Sequence, residues 1–167
     1  MSKASSFFLG VDPGLLGALV ILDDQGQCHD FLHMPALKVG SKNRVNGAAI
    51  AAWLAMWPDM SHAFVENVHS MPKDGPTKAF SFGHSTGIIH GVVAGMGIPM
   101  TLVTPHSWKQ HHKLLGTEKD AARSRCVQLF PGLRELDKKI KGQAISDALL
   151  IGLYGIQKHT LTSTKAA

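Results

Sequence analysis

The stretch FFLGVDPGLLGALVIL, Phe7 to Leu22, decides the fold. Two apolar runs flank Asp12-Pro13-Gly14, and Pro-Gly is strong turn chemistry. Residues 7–12 and 18–22 are therefore predicted to be two strands joined by a turn. Asp12 is the single carboxylate in this stretch. A carboxylate among apolar neighbours is costly unless something pairs with it. Asp12 is thus either a turn residue or a group whose use offsets its burial.

Working outward, Asp23-Asp24-Gln25-Gly26 turns the chain again, and residues 27–34 read as a third strand. KVGSKNRVNG (38–47) reads as a polar, mobile loop. GAAIAAWLAMW (47–57) has helical apolar spacing and stops at Pro58. HAFVEN (62–67) is a short strand with Glu66 at its end, and HSMPKDGPTK (69–78) is a flexible loop. A long helix is predicted over 77–96, a fifth strand over 98–104 and a short helix over 105–115. Residues 117–130 form an amphipathic helix in which Thr117 and Asp120 fit the N-terminal capping pattern. A basic linker leads to a last helix over 144–157. The order β-β-β-α-β-α-β-α describes an α/β layer fold, a mixed five-stranded sheet flanked by helices. It is the order of the RNase H-like fold. The expectation is a single domain over 1–160 and a flexible tail over 161–167.

The chain has 167 residues, 44% hydrophobic and 17% charged, which suits one soluble globular domain with a proper core. No apolar run reaches the roughly 18 residues of a membrane span, and MSKASSFFLG does not read as a secretory signal. The expected compartment is the cytoplasm of a bacterial or phage-infected cell, the origin resting on the resemblance described below. Cys28 and Cys126 stand far apart, as reduced thiols rather than a disulfide or a zinc site. The formal charge is +5, with ten His uncounted, which favours an anionic partner, nucleic acid first.

Three carboxylates fall at element ends: Asp12 after the first strand, Glu66 after the fourth and Asp147 in the first turns of the last helix. If the first and fourth strands lie side by side and parallel, Asp12 and Glu66 emerge together, and a helix packed across that edge brings Asp147 to them. Clustered carboxylates repel, and a divalent cation is one answer to the repulsion. Hard oxygen ligands suit Mg²⁺, which takes the rest of its shell from water and substrate phosphates. Two such ions can activate water and stabilise the leaving oxygen of a phosphodiester. Spacing alone leaves other readings open: a turn for Asp12, and for Asp147 a favourable negative charge at a helix start.

Four segments carry more than spacing. GVDPGLLGALVIL, FVENVHSM, KAFSFGHSTGIIHGVVAGMGIPMTLVTPHSWKQ and SDALLIGLYG, in that order, resemble RuvC-type Holliday junction endonucleases, the small phage resolvases most of all. The resemblance covers roughly residues 7–157. It implies an RNase H-like fold, a homodimer, and cutting of four-way DNA junctions that depends on Mg²⁺ or Mn²⁺, two ions per active site. On it, Asp12, Glu66 and Asp147 match metal ligands and catalytic residues. The family places a further Asp or His about one turn ahead of the last acid. Here Gly142, Gln143 and Ala144 stand in that region. Gln143 offers a neutral carbonyl and Ala144 offers nothing, while Asp137 is two or more turns away. Three explanations stand: an altered site, a deliberately substituted form with Ala144 in place of an acid, or a protein that binds junctions without cutting. The substituted form is favoured.

Basic groups surround these motifs. In TPHSWKQHHK (104–113), Lys109 and Lys113 are four apart and are expected to share a helix face and clamp phosphate. Lys109 also matches the lysine of the family's WK pair. Trp108 is core or a base-stacking platform. His111 and His112 are adjacent and make a poor chelate. Arg123 and Arg125 with Lys138, Lys139 and Lys141 supply a second strip, either phosphate contacts or a solvated face. Lys73 and Lys78 lie in the loop after Glu66 and at the helix that follows it. Phe80 or Phe82 is a candidate wedge against unstacked bases, with core packing as the alternative.

Gly83, Gly87, Gly91 and Gly95 recur every four residues along the predicted long helix. Each costs roughly 0.5–1 kcal/mol against Ala. Close backbone approach is the expected reason, either to the sheet or to the same helix of a second subunit, whose two-fold symmetry suits two symmetric nicks. The leading expectation is a structure-selective DNA endonuclease that leaves 5′-phosphate and 3′-hydroxyl ends, the ends the resemblance implies. The alternatives are a junction-binding protein with little cleavage, an RNase H-like nuclease of RNA/DNA hybrids or branched DNA, and a sugar-kinase or actin-like ATPase fragment. The last lacks its further phosphate and adenosine motifs.

Overall fold

The computed structural model describes residues 6–69 and 75–165. The opening meander is β1 (Phe7–Asp12), β2 (Ala18–Asp23) and β3 (Cys28–His33). It is followed by β4 (Ala36–Val39), β5 (Lys42–Val45), α1 (Gly47–Leu54) and β6 (Met60–Glu66). Then come α2 (Pro76–Gly95), β7 (Met100–Val103), α3 (Pro105–His111), α4 (Ala121–Leu129), a 3₁₀ turn (Arg134–Asp137) and α5 (Lys139–Lys165). The main sheet has the order β3-β2-β1-β6-β7. β1 is antiparallel to β2 and parallel to β6, and β6 is parallel to β7. The mixed five-stranded sheet expected from the element order is therefore present.

Alternation along the strands sends side chains to two cores. Leu9, Val11, Leu19, Ile21, Ala63 and Val65 face the side covered by α1 and α2. Phe8, Ala18, Val20, Leu22 and Phe64 face the side covered by α5. Both faces are buried, which is why β2 reads ALVIL without polar interruption. Helix α5 is apolar over most of its circumference because it lies between the sheet and the layer of α3 and α4.

Glycine sets how closely α5 approaches the sheet. A Cβ at Gly10 would run into the Ala148 carbonyl oxygen and lie 3.1 Å from the Gly152 Cα. A Cβ at Gly155 would overlap the Phe64 ring. The stripe on α2 behaves differently. A Cβ at Gly83, Gly87, Gly91 or Gly95 would meet nothing within 4 Å, so these glycines do not pack on the sheet.

Several boundaries differ from the sequence expectation, each for a local reason. Residues 38–47 are not a loop: β4 and β5 pair as a hairpin turned at Gly40, whose φ is 61°. The two-residue Gly40-Ser41 turn is itself a hairpin signal. α3 ends at His111, and Lys113 adopts φ 58°, so Lys109 and Lys113 do not share a helix face. α4 starts at Ala121, and the Asp120 side chain makes no cap hydrogen bond. It pairs with Arg123 at 3.6 Å instead. α5 begins at Lys139, five residues before the expected start, and runs on to Lys165. Among the described residues no helix is long and apolar enough to cross a membrane.

Candidate active site

Strand parity brings two acids to one face. Asp12 shares the parity of Phe8, and Glu66 that of Phe64, so both carboxylates belong to the α5 side of the sheet. Because β1 and β6 are parallel and paired up to Val11 opposite Val65, the two acids leave the sheet side by side. Asp147 precedes Ala148, whose carbonyl is the atom that Gly10 admits. The close contact of β1 and α5 thus places Asp147 near Asp12. Asp147 stands in the third turn of α5, not at its start, so the helix-terminus reading of this acid does not apply.

Electrostatics reports the same neighbourhood. Burial, with the charges of Asp147 and Glu66 beside it, pushes the Asp12 carboxyl up to about 8. Burial and Glu66 push Asp147 up to about 6. Burial also raises Glu66, while a hydrogen bond from Trp108 and the Lys109 charge draw it down. The Lys109 ammonium opposes the shift at all three acids. These carboxylates are close enough to sense one another. Yet among the described residues no group of three or more His, Cys, Asp or Glu side chains is disposed to hold a metal ion by itself.

Two neutral donors hold the acids in place. Trp108 Nε1 donates to Glu66 Oε1 at 2.8 Å, and Gln143 Nε2 donates to Asp147 Oδ1 at 2.9 Å. The other amide atom, Gln143 Oε1, is buried and has no hydrogen-bond partner. A buried orphan acceptor beside Asp147, in a cleft that Asp12 also lines, is an oxygen donor of the kind a hard cation takes. The residues present therefore fit a divalent ion whose remaining ligands come from water and phosphate.

Asp12 and Asp147 open into a cleft of about 470 Å³, which Gln143, Ala144, Arg123 and Lys139 also line. Ala144 is buried and borders both the core and this cleft. Lys109 lines an adjoining cleft with Trp108, Gln143 and Asp147. Lys119, absent from the sequence reading, lines both clefts. It sits before α4 among mixed charges, where nothing in the pattern marks it.

The other expected residues scatter. Trp108 is only 1% exposed, so it packs in the core and is no platform for bases. Its role in orienting Glu66 had no sequence signal beyond its place before Lys109. Lys113 and Lys141 are exposed and line neither cleft. Lys138 pairs with Glu135 at 2.6 Å, and Glu135 also meets His33 Nε2 at 2.9 Å. Arg123 Nη1 donates to the Leu136 carbonyl at 3.3 Å, tying α4 to the 3₁₀ turn while its side chain borders the cleft. Phe80 is 66% exposed, with Arg44 Cζ 5.6 Å from its ring centroid; Phe82 is half-buried. Lys78 is exposed in the first turn of α2, and Lys73 lies outside the described residues. His112 is engaged with the Leu150 carbonyl and His111 with the Tyr154 ring.

A mixed sheet in this order, with acids gathered where β1, β6 and α5 meet, defines the RNase H-like class. No family model matches the chain. The chloroplastic Holliday junction resolvase MOC1 of Chlamydomonas reinhardtii is 31% identical over 125 residues, 72% of this chain. The matched region is 14% of that relative's length. A structure of Thermus thermophilus RuvC in complex with Holliday junction substrate superposes with a TM-score of 0.58. It is 14% identical and covers 93% of this chain and 96% of that one. A second Thermus thermophilus RuvC structure gives a TM-score of 0.55 and 17% identity over 92% and 96% of the two chains. The chain thus shares the fold of the RuvC structures, and part of its sequence is similar to a segment of a junction resolvase.

Proposed function

We propose that this chain is a Holliday junction resolvase, a crossover junction endodeoxyribonuclease that makes paired symmetric nicks in four-way DNA. The observation that carries the reading is the gathering of Asp12, Glu66 and Asp147 beside Lys109, on a basic chain with the RuvC fold. Two Mg²⁺ or Mn²⁺ ions, held by Asp12, Glu66, Asp147 and the Gln143 carbonyl, would supply the activated water and stabilise the leaving 3′-oxygen.

The chain's own side chains do the rest. Trp108 fixes the rotamer of Glu66, and Gln143 that of Asp147. Burial and the neighbouring Asp147 and Glu66 charges make Asp12 hold its proton more tightly than an ordinary carboxylate, and positive charge in the site acts against that hold. Lys109 offsets phosphate charge at the acids, and Lys119, Arg123 and Lys139 hold the flanking backbone. The products are 5′-phosphate and 3′-hydroxyl ends. The partner is a second copy of this chain, docked through the open glycine face of α2, so that two active sites meet two symmetric strands. The cytoplasm of a bacterial or phage-infected cell is the proposed setting, although the matched relative is chloroplastic.

Ala144 favours a second reading, a junction-binding protein with weak cleavage, because no acid stands one turn before Asp147. The deciding assay is a synthetic mobile four-way junction with Mg²⁺ or Mn²⁺, against linear duplex and RNA/DNA hybrid. Symmetric nicking of the junction alone is expected. Tight binding without cuts would establish the second reading, and preferential hybrid cleavage would overturn both.

A further inference from the structure

Among the described residues, the two most exposed large apolar side chains are Leu16, at 82%, and Ile140, at 74%. Both line the cleft that holds Asp12 and Asp147. Leu16 belongs to the turn between β1 and β2, and Ile140 to the first turn of α5. Single exposed aliphatic residues are ordinary on protein surfaces. Two of them at one acid-bearing cleft, above every other large apolar side chain among the described residues in exposure, call for an apolar ligand group.

The rest of the cleft says what carries that group. Lys119, Arg123 and Lys139 line it and attract phosphate. Its volume of about 470 Å³ is that of a site for an organic ligand rather than for a phosphate group alone. A ligand anionic at its backbone and apolar on its faces is a nucleotide. Enzymes acting on branched or distorted DNA take bases out of the stack and pack them against apolar side chains.

We propose that Leu16 and Ile140 grip the base of one nucleotide next to the scissile phosphate, unstacked at the exchange point, and thereby select where the strand is cut. The inference rests on the junction reading above and adds to it the group that the cleft recognises. The grip makes no hydrogen bonds to base edges. It therefore discriminates by base shape and by the ease of unstacking.

The test uses junctions with 2-aminopurine placed in turn at the two nucleotides on either side of the exchange point. Ca²⁺ replaces Mg²⁺ to hold the DNA uncut, and fluorescence is read at saturating protein. The parent should raise the fluorescence severalfold at one position. Leu16→Ala and Ile140→Ala should each lower that rise, and the double variant should cut it by more than half, with junction affinity weakened no more than about threefold. Met56→Ala, an exposed apolar change beyond α1 on the other face of the sheet, should keep the full rise. A full rise in the double variant, or loss of all junction binding by a double variant with native circular dichroism, overturns the grip alone. A parent that binds the junction with no rise at any position does the same. A parent that binds no junction overturns the resolvase reading, and the grip with it.

Discussion

The indole Nε1 of Trp108 donates to Glu66 Oε1 at 2.8 Å, across 42 residues of chain. The bond joins α3 to the end of β6 and explains why an indole is buried at this corner of the core. Trp108→Phe keeps most of the packing and removes the donor. Glu66 then loses the bond that draws its carboxyl down, so its proton is held more tightly. The Mg²⁺ concentration for half-maximal cleavage should rise roughly tenfold, as for other partners that orient ligands. Stability should fall by about 1–3 kcal/mol. A metal titration of cleavage and urea unfolding check the two effects separately.

Acidic pH should stabilise the cation-free protein. Asp12 titrates at about 8 and Asp147 at about 6, both above the ordinary carboxylate value of 3.8. The folded chain therefore holds protons that the unfolded chain has released. Their contribution is fully present below about pH 4 and is lost as pH rises, first through Asp147 and then through Asp12. Between pH 5 and pH 8 the loss should be about 5 kcal/mol, seen as a fall in Tm on the order of 10–20 °C. Asp12→Asn should flatten the upper part of this slope and raise Tm at pH 8. Mg²⁺ should restore the parent at pH 8 but not this variant. Thermal unfolding against pH, with EDTA and with Mg²⁺, measures all three outcomes.

Ala144→Asp should increase metal-dependent cleavage at least tenfold, because the new carboxylate would border the cleft of Asp12 and Asp147. Ala144 is also part of the core, so the same change should cost about 1–3 kcal/mol without a cation and less with one. Cleavage kinetics and unfolding with and without Mg²⁺ check the pair. Unchanged cleavage with parental junction binding would reject the idea that an acid is missing here.

The two glycine sets should respond in opposite ways. Gly10→Ala forces a methyl group against the Ala148 carbonyl and should cost roughly 1–3 kcal/mol while moving α5, and Asp147 with it, from the acids. Gly91→Ala enters open space and should raise the stability of the isolated chain by about 0.5–1 kcal/mol. Gly87→Leu should leave the fold intact and weaken the dimer. Urea unfolding measures the first two, and sedimentation equilibrium the third.

Asp12 shows how far the sequence reaches. Its isolation in an apolar stretch, the Pro-Gly turn after it and the alternation of strands with helices already specify the sheet and raise the question of the acid. Local pattern carries this much because strand and turn preferences act over a few residues. The Gly40-Ser41 turn of the β4-β5 hairpin is a local signal of the same kind, masked by the polarity of the residues around it. The early start of α5 is less legible, because Gly142 weakens the helical pattern that tertiary packing restores.

The site needed the fold. Sequence alone named Asp12, Glu66, Asp147 and Lys109, but not the bonds from Trp108 and Gln143, the place of Lys119, or the exposure of Leu16 and Ile140. Nor could it tell that the α2 glycines face open space while Gly10 admits α5. Each of these is a relation between residues distant in the chain. Their separation depends on how closely a helix approaches a sheet, and that distance is set by packing in three dimensions rather than by any run of neighbouring residues.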